Sequence, residues 1–177
     1  MIILNPPQFH TNLTDHRIAK LAAIAIALHM IEAIFPSPLP GVKPGFANII
    51  TLYVLYQYGF ATAAWVSLLR AFASNLLLGL FLSPTFILSL TGSLVSLMVL
   101  WIASRLVSNH FSAISLSILA AFAHIAGQLI VVRIWLIPHA GIAYLIPIFA
   151  TAALLFGLIN GIIVQQLLRD KIKSDFL

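Results

Sequence analysis

A small set of polar side chains stands inside long apolar segments of this 177-residue sequence. Such residues are the ones most able to do chemistry, because a polar group in hydrocarbon must find a protein partner or a water-filled cavity. Arginine and histidine can donate hydrogen bonds to an anion, whereas amides offer both donors and acceptors. The set comprises His29, Glu32, Asn48, Arg70, Asn75, His124, Gln128 and Asn160, with Lys43 at the boundary of an apolar segment.

Arg70 carries a permanent positive charge in an apolar setting that includes Trp65, Leu69 and Phe72. If its side chain faces a cavity, it is suited to bind an anionic group of a substrate. The alternative is structural: Arg70 pairs with Glu32, the only acidic residue within any apolar segment, and this pair holds the helices together. A ligand carboxylate or phosphate that competes for the guanidinium would reconcile the two interpretations.

His124 and Gln128 are four residues apart, so they share one face of a helix. Gly127 lies between them and permits another backbone or a ligand to approach closely. This face either lines a pocket or bonds to neighbouring helices. A metal site is disfavoured, because no second histidine or carboxylate shares the spacing.

The remaining polar residues lie near the ends of the apolar segments. Asn48 is in the first turn of a helix, where it either caps that helix or faces a cavity. Lys43 belongs to a loop rich in proline and glycine, and it either extends toward the interface or closes over a ligand. His29 and Glu32 are expected to be solvated at the interface. The candidate ligand-binding residues are therefore Lys43, Asn48, Arg70, Asn75, His124 and Gln128; no catalytic residue, metal ligand or cofactor is expected.

The composition determines the class of protein that must hold these residues. Hydrophobic residues make up 62% of the chain and charged residues 7%, whereas a soluble domain carries about 25% charged residues. This excludes a soluble globular enzyme, a disordered chain and an ordinary nucleic-acid binder. The net charge of +5 comes from scattered residues, which suits membrane orientation and lipid headgroups rather than nucleic acid. The absence of cysteine excludes thiol catalysis and disulfides.

The apolar segments predict an all-α integral membrane protein with six transmembrane helices. Residues 1–16 are expected to be a tail, residues 17–168 the membrane domain and residues 169–177 a second tail. The first apolar run follows no basic segment, so it is expected to be retained as a span. Thr14 or Asp15 is the expected N-cap of the first helix. The six spans are predicted at about 17–35, 46–59, 61–82, 84–104, 111–137 and 142–168.

The number of spans depends on Gly59, because residues 46–69 form either one helix or two. Charge favours six spans. An even number places the basic residues near both chain ends on one face, together with Arg105. The positive-inside rule then predicts that both termini are cytoplasmic and that the protein lies in the cytoplasmic membrane.

Ala19, Ala23 and Ala27 recur every four residues and form a smooth stripe on the first helix. Small residues at this spacing let helices pack closely. The stripe either packs inside the monomer or receives another membrane subunit.

Two reactions are disfavoured by the residues present. Prenyl-diphosphate synthesis normally needs clustered aspartates for Mg²⁺, but this chain has four acidic residues and no two are adjacent. The sequence also has no P-loop, so ATP hydrolysis by this chain is not expected.

Three sequence blocks resemble the family called heptaprenyl diphosphate synthase component I, also known as the Gx transporter family. They are PLPGVKPGFANIITLYVLYQYGF (38–60), LLRAFASNLLLGLFLSPTFILSLTG (68–92) and AHIAGQL (123–129). This family is related to the substrate-binding S-components of energy-coupling factor (ECF) transporters. The resemblance implies a six-helix fold with cytoplasmic termini and a ligand pocket near the outer face. It also implies that a membrane coupling subunit, driven by ATPases, docks on the stripe of Ala19, Ala23 and Ala27.

The first functional hypothesis is a membrane-embedded protein that binds and helps to transport a small anionic or amphipathic molecule. Tyr53, Tyr56 and Trp65 are expected to cover the apolar part of that ligand. The second is a non-catalytic membrane subunit of a heptaprenyl diphosphate synthase, which would hold a lipid-like product. The third is a structural scaffold, which predicts a filled interior beside Arg70.

Overall fold

The computed structural model describes residues 13–34, 45–106 and 111–175, and these ranges contain six α-helices and no strand. The helices are α1 (Leu13–Ile34), α2 (Ala47–Tyr58), α3 (Phe60–Leu77), α4 (Pro84–Leu106), α5 (Ala113–Val131) and α6 (Ile146–Asp175). A π-helical turn, Val132–Leu136, extends α5, and a 3₁₀ segment, Ala140–Leu145, leads into α6. The prediction of an all-helical membrane protein with six helices is confirmed.

Among the described residues, four helical segments are long and apolar enough to cross a membrane: Phe60–Leu77, Pro84–Arg105, Ala113–Leu136 and Gly141–Ile172. Helix α2 has 12 residues and is therefore about 18 Å long at 1.5 Å per residue, less than the roughly 30 Å of hydrocarbon. Helix α1 is longer, but charged residues stand near both of its ends. These two helices thus belong to the bundle without meeting the length and composition of an independent span.

Helix α2 lies in the interior of the bundle, which explains its short, apolar sequence. It contacts α1, α3 and α6. Ile49 and Leu52 join residues of α4, α5 and α6 in one apolar cluster, and Val54 joins residues of α1 and α3 in another. A helix enclosed by its neighbours gains stability from packing on several faces rather than from its length.

Gly59 separates α2 from α3 and so decides the number of helices. Its φ of 82° and ψ of 174° belong to a region that is open essentially to glycine alone. The Gly59 N–H donates to the Leu55 carbonyl at 3.1 Å and closes α2, and α3 begins at Phe60. The single long helix over residues 46–69 is therefore not formed.

Several predicted boundaries are wrong, for local reasons. Helix α1 begins by Leu13, so Thr14 and Asp15 lie inside it and do not cap it. Helix α3 ends at Leu77, before the turn with Gly79 at φ 68° that precedes Pro84. Helix α6 continues to Asp175, so most of the predicted C-terminal tail is helical. Lysine and arginine are good helix formers, and a helix leaving the membrane can continue through them.

The start of α1 and the end of α6 lie at the same end of the bundle. The guanidinium of Arg17, on α1, lies 5.7 Å from the ring centre of Tyr58, and the ammonium of Lys171, on α6, lies 5.5 Å from the same ring. Lys171 Nζ also donates to Gln57 Oε1 at 2.8 Å. Because α1 starts and α6 ends at the same end of the bundle, the described chain passes along the bundle an even number of times.

Helices α5 and α6 approach closely at two glycines. A Cβ on Gly161 would lie 2.6 Å from the Ile114 Cα, and one on Gly157 would lie 2.9 Å from the Ile118 Cα. This G-x-x-x-G pair permits backbone contact between membrane helices. It aligns α6 against α5 and thereby positions the polar residues that the two helices contribute to the interior.

Candidate binding site

A cavity of about 480 Å³ lies within the half of the bundle opposite the start of α1 and the end of α6, and all six helices contribute to its wall. The wall combines polar side chains with apolar ones such as Leu88, Ile125 and Phe156. All eight polar residues that the sequence analysis singled out within the apolar segments line it: His29, Glu32, Asn48, Arg70, Asn75, His124, Gln128 and Asn160. The filled interior that a structural scaffold requires is absent from this part of the described chain.

Arg70 is 4% exposed and lines the cavity from the middle of α3. Its Nη2 donates to the Ser93 Oγ of α4 at 3.1 Å. Its Nε has no acceptor among the described residues. A buried guanidinium with one neutral acceptor is incompletely compensated, and each unsatisfied donor costs about 1–3 kcal/mol.

Glu32 does not form the ion pair with Arg70 that the structural interpretation requires. The Glu32 Oε1 instead accepts a hydrogen bond from the Phe46 N–H at the start of α2. Its Oε2 lies 3.9 Å from the His29 Nδ1. Within the described residues, Glu32 thus fixes the entry of α2, and its charge acts on Arg70 from a longer distance.

The expectation that His29 and Glu32 are solvated at the interface is wrong for Glu32. This side chain is 3% exposed and lines the cavity with His29. Position near the end of a helix suggested solvation, but the short α2 packs against the end of α1 and covers the carboxylate.

His124 and Gln128 form a hydrogen-bonded pair on one face of α5, with their Nε2 atoms 3.2 Å apart. Both line the cavity. Glycine at position 92 makes room for the imidazole, since a Cβ there would lie 2.8 Å from the His124 Nε2. Gly92 and Ser93, adjacent on α4, therefore contact the histidine of α5 and the arginine of α3 respectively.

Three asparagines complete the polar wall. The Asn75 Nδ2 donates to the Ala71 carbonyl at 2.7 Å, and Asn75 lines the cavity from α3. Asn160 Nδ2 donates to the Gly45 carbonyl at 3.2 Å and joins α6 to the residues before α2. Asn48 lines the cavity and does not cap α2 through its side chain.

The cavity brings together five of the six candidate residues: Asn48, Arg70, Asn75, His124 and Gln128. Lys43 lies outside the described residues. Sequence reasoning left Glu32, Asn160, Thr85 and Ser89 out of the site, although all four line it. The burial cost of Glu32 and Asn160 was a usable signal for them, whereas serine and threonine are too common in membrane helices to be singled out.

The three aromatic residues expected to cover a ligand do not line this cavity. Trp65 is 59% exposed on the outer surface of α3. Tyr56 donates to the Phe111 carbonyl at 3.0 Å, and Tyr53 packs against the cluster of α1, α2 and α3. Among the described residues, Phe156 of α6 is the Phe, Tyr or Trp that lines the cavity.

Ala19, Ala23 and Ala27 are all exposed along one side of α1. Ala22 and Ala25 are the alanines of this helix that are buried in the monomer. The stripe is therefore not used for packing within the described chain.

The arrangement can bind and orient a small molecule. In the described residues, no group of three or more His, Cys, Asp or Glu side chains stands close enough to hold a metal ion. The donors of Arg70, the amides and the His124–Gln128 pair instead suit a ligand with carboxylate, phosphate or carbonyl oxygens.

The fold defines a multi-pass helical membrane protein with a polar cavity enclosed in its bundle. It is similar to the solved S component of a bacterial ECF transporter, with a TM-score of 0.55 and 18% sequence identity, over 91% of this chain and 97% of that one. The chain belongs to the heptaprenyl diphosphate synthase component I family, whose model matches residues 21–167. A search of curated proteins gives no significant match.

Proposed function

We propose that this protein binds a small anionic or amphipathic molecule in its central cavity and presents it for transport, as an S-component-type subunit. One observation carries the proposal: eight polar residues from the apolar segments converge on a single cavity that includes the incompletely paired Arg70. Burial of so many polar groups is costly in a membrane, and a bound ligand would supply the partners that the protein does not.

The chemistry of the wall supports the ligand class. Arg70 is the permanent cation of the described wall, and its guanidinium can hold a carboxylate or phosphate through two parallel hydrogen bonds. His124, Gln128 and Asn48 can orient polar atoms of the ligand, while Leu88, Ile125 and Phe156 can cover its apolar part.

Removal of the Arg70 charge tests ligand binding. Native mass spectrometry of the purified protein should show a retained small molecule, and Arg70→Gln should lower its affinity roughly 10- to 100-fold, the equivalent of a lost charged hydrogen bond. Arg105→Gln is the matched control, because Arg105 is exposed on α4 and lies over Trp101 rather than in the cavity. Equal retention by the wild type and a folded Arg70→Gln variant would remove Arg70 from the site.

An ECF coupling subunit with its ATPases is the proposed partner. The similar solved protein is an S component, and the exposed stripe of Ala19, Ala23 and Ala27 offers a flat surface for a second membrane helix. Ala23→Leu should abolish co-purification of the coupling subunit and leave ligand retention unchanged. Ala126→Leu, at an exposed alanine of α5, is the control; loss of the partner in both variants would contradict a specific surface.

We further propose that the protein lies in the cytoplasmic membrane with both termini in the cytoplasm. The end of the bundle that carries Arg17 and Lys171 also carries Lys20, Arg105 and Arg169, which is the asymmetry of the positive-inside rule.

The family description supports a second candidate, a non-catalytic subunit of a heptaprenyl diphosphate synthase. In that case the cavity would hold the diphosphate end of a lipid-like product. Co-purification distinguishes the two: recovery with an ATPase module supports transport, and recovery with an aspartate-rich soluble synthase supports the accessory role.

A further inference from the structure

We infer that the ligand presents a hydrogen-bond acceptor to His124, whose imidazole is held by Gln128 as the tautomer with its proton on Nδ1. This inference rests on the proposed function and deepens it, since it assigns what the α5 side of the cavity recognises. It also makes Gln128 a positioning residue for His124.

The tautomer follows from the pairing on α5. The Gln128 Nε2 stands 3.2 Å from the His124 Nε2. An amide nitrogen can only donate, so the ring Nε2 must accept and cannot carry a proton. A neutral imidazole then carries its proton on Nδ1. An amide turned the other way would present its oxygen and require the opposite tautomer, which makes the assignment measurable.

Helix α4 restricts the ring to this position. A Cβ on Gly92 would lie 2.8 Å from the His124 Nε2 and 2.9 Å from both Cδ2 and Cε1. The imidazole therefore lies directly on the backbone of α4, and the Gln128 amide approaches the same nitrogen from α5.

His124 and Arg70 form one corner of the cavity wall, and this corner has more hydrogen-bond donors than acceptors. The His124 Nδ1 has no partner among the described residues, and neither has the Arg70 Nε. Ser93, next to Gly92, accepts from the Arg70 Nη2, so the two side chains contact adjacent residues of α4. Both nitrogens lie against the cavity wall rather than open to it, and the two side chains must turn slightly toward a ligand to reach it.

An acceptor is the ligand group that suits this corner. The oxygens of a carboxylate, a phosphate or a carbonyl can accept from an N–H of either side chain. An ammonium or an amidinium only donates hydrogen bonds, so it could not accept from these nitrogens. Its positive charge would also be repelled by Arg70.

The experiment uses the full chain in detergent, with ¹⁵N-labelled histidine, at about pH 8, above the ordinary histidine pKa near 6.5. Nitrogen chemical shifts report which ring nitrogen carries the proton. His139 is an internal control, because its Nδ1 accepts from the Gly141 N–H at 2.9 Å and should show the opposite tautomer. The probes are benzoate, whose polar end only accepts, and benzamidine, a donor of the same shape.

The expected result is a proton on the His124 Nδ1 and a shift of that resonance with benzoate but not with benzamidine. Gln128→Glu replaces a donor by an acceptor and should move the proton to Nε2, with loss of the benzoate response. Gln128→Leu removes the donor without adding charge and should leave a mixture of tautomers. The His139 signal should stay unchanged in both variants, which shows that the fold is kept.

Two results would overturn the inference, and they separate it from the proposed function. A wild-type His124 with its proton on Nε2 that still responds to benzoate contradicts the inference alone. A proton on Nδ1 with no benzoate response, in wild type and variants, contradicts both, because no anion then reaches the cavity.

Discussion

The His124 imidazole occupies the space that any side chain at position 92 would take. Glycine at position 92 permits this contact because it has no side chain that would overlap the ring. The pair shows how a residue without functional groups can determine a binding site: Gly92 offers no chemistry, but it sets where the ring lies between α4 and α5.

At the residue scale, we expect Gly92→Ala to destabilise the protein by about 1–3 kcal/mol, because the new methyl group overlaps the ring. In a His124→Ala background the same change should be neutral or stabilising by up to about 1 kcal/mol, since alanine favours the helix more than glycine does. Denaturation in detergent of the wild type, the two single variants and the double variant measures the coupling. Equal effects in both backgrounds would show that the contact does not constrain the ring.

At the scale of elements, the approach of α5 and α6 depends on small residues rather than on large apolar ones. A membrane offers little hydrophobic drive for one helix to join another, so close van der Waals contact becomes the main attraction. Gly157 and Gly161 supply that contact on α6, and Asn160 between them faces the cavity.

We expect Gly161→Ala to cost about 1–3 kcal/mol, because its Cβ would lie 2.6 Å from the Ile114 Cα, a backbone atom that cannot move alone. Leu158→Ala, on the exposed side of the same helix, is the control and should change the unfolding free energy much less. Both are measured by denaturation in the same detergent. A cost for Leu158→Ala as large as that for Gly161→Ala would show that close packing is not what joins the helices.

At the scale of the whole molecule, the six described helices bring the end of α6 back to the end of the bundle at which α1 starts. The absence of cysteine makes this topology directly testable, since any introduced thiol is the only one. Suitable exposed positions exist on both sides: Leu13 and Ile172 near the chain ends, and Tyr144 at the α5–α6 connection.

A membrane-impermeant thiol reagent should label Tyr144→Cys in intact cells. Leu13→Cys and Ile172→Cys should react only after the membrane is made permeable, because the proposed orientation places both positions on the cytoplasmic side. The cysteine-free wild type is the background control. Labelling of residues 13 and 172 from opposite sides would contradict an even number of membrane crossings. Labelling of both from outside would show that the orientation is the reverse of the proposed one.

The sequence alone determined the class of protein and the identity of most of its polar interior. A chain with 62% hydrophobic residues must place them in lipid, and the cost of burying Arg70, His124 or Gln128 there requires an interior partner or cavity. Charge asymmetry favoured a break between two helices at Gly59, and the structure has that break, with a positive φ at Gly59. These conclusions rest on two causes that can be read from the sequence. Solvation follows from the composition of a segment, and backbone preference follows from the residue and its neighbours.

Only the tertiary structure decided which residues meet. Glu32 bonds to the start of α2 rather than to Arg70, Ser93 accepts from Arg70, and Trp65 faces outward. The faces that two helices present to each other depend on how segments far apart in sequence cross. In a chain whose helices are apolar on every side, helix periodicity says little about which face packs against a neighbour. A polar residue in such a chain is therefore predictably inside, but its partner is set by how the helices pack.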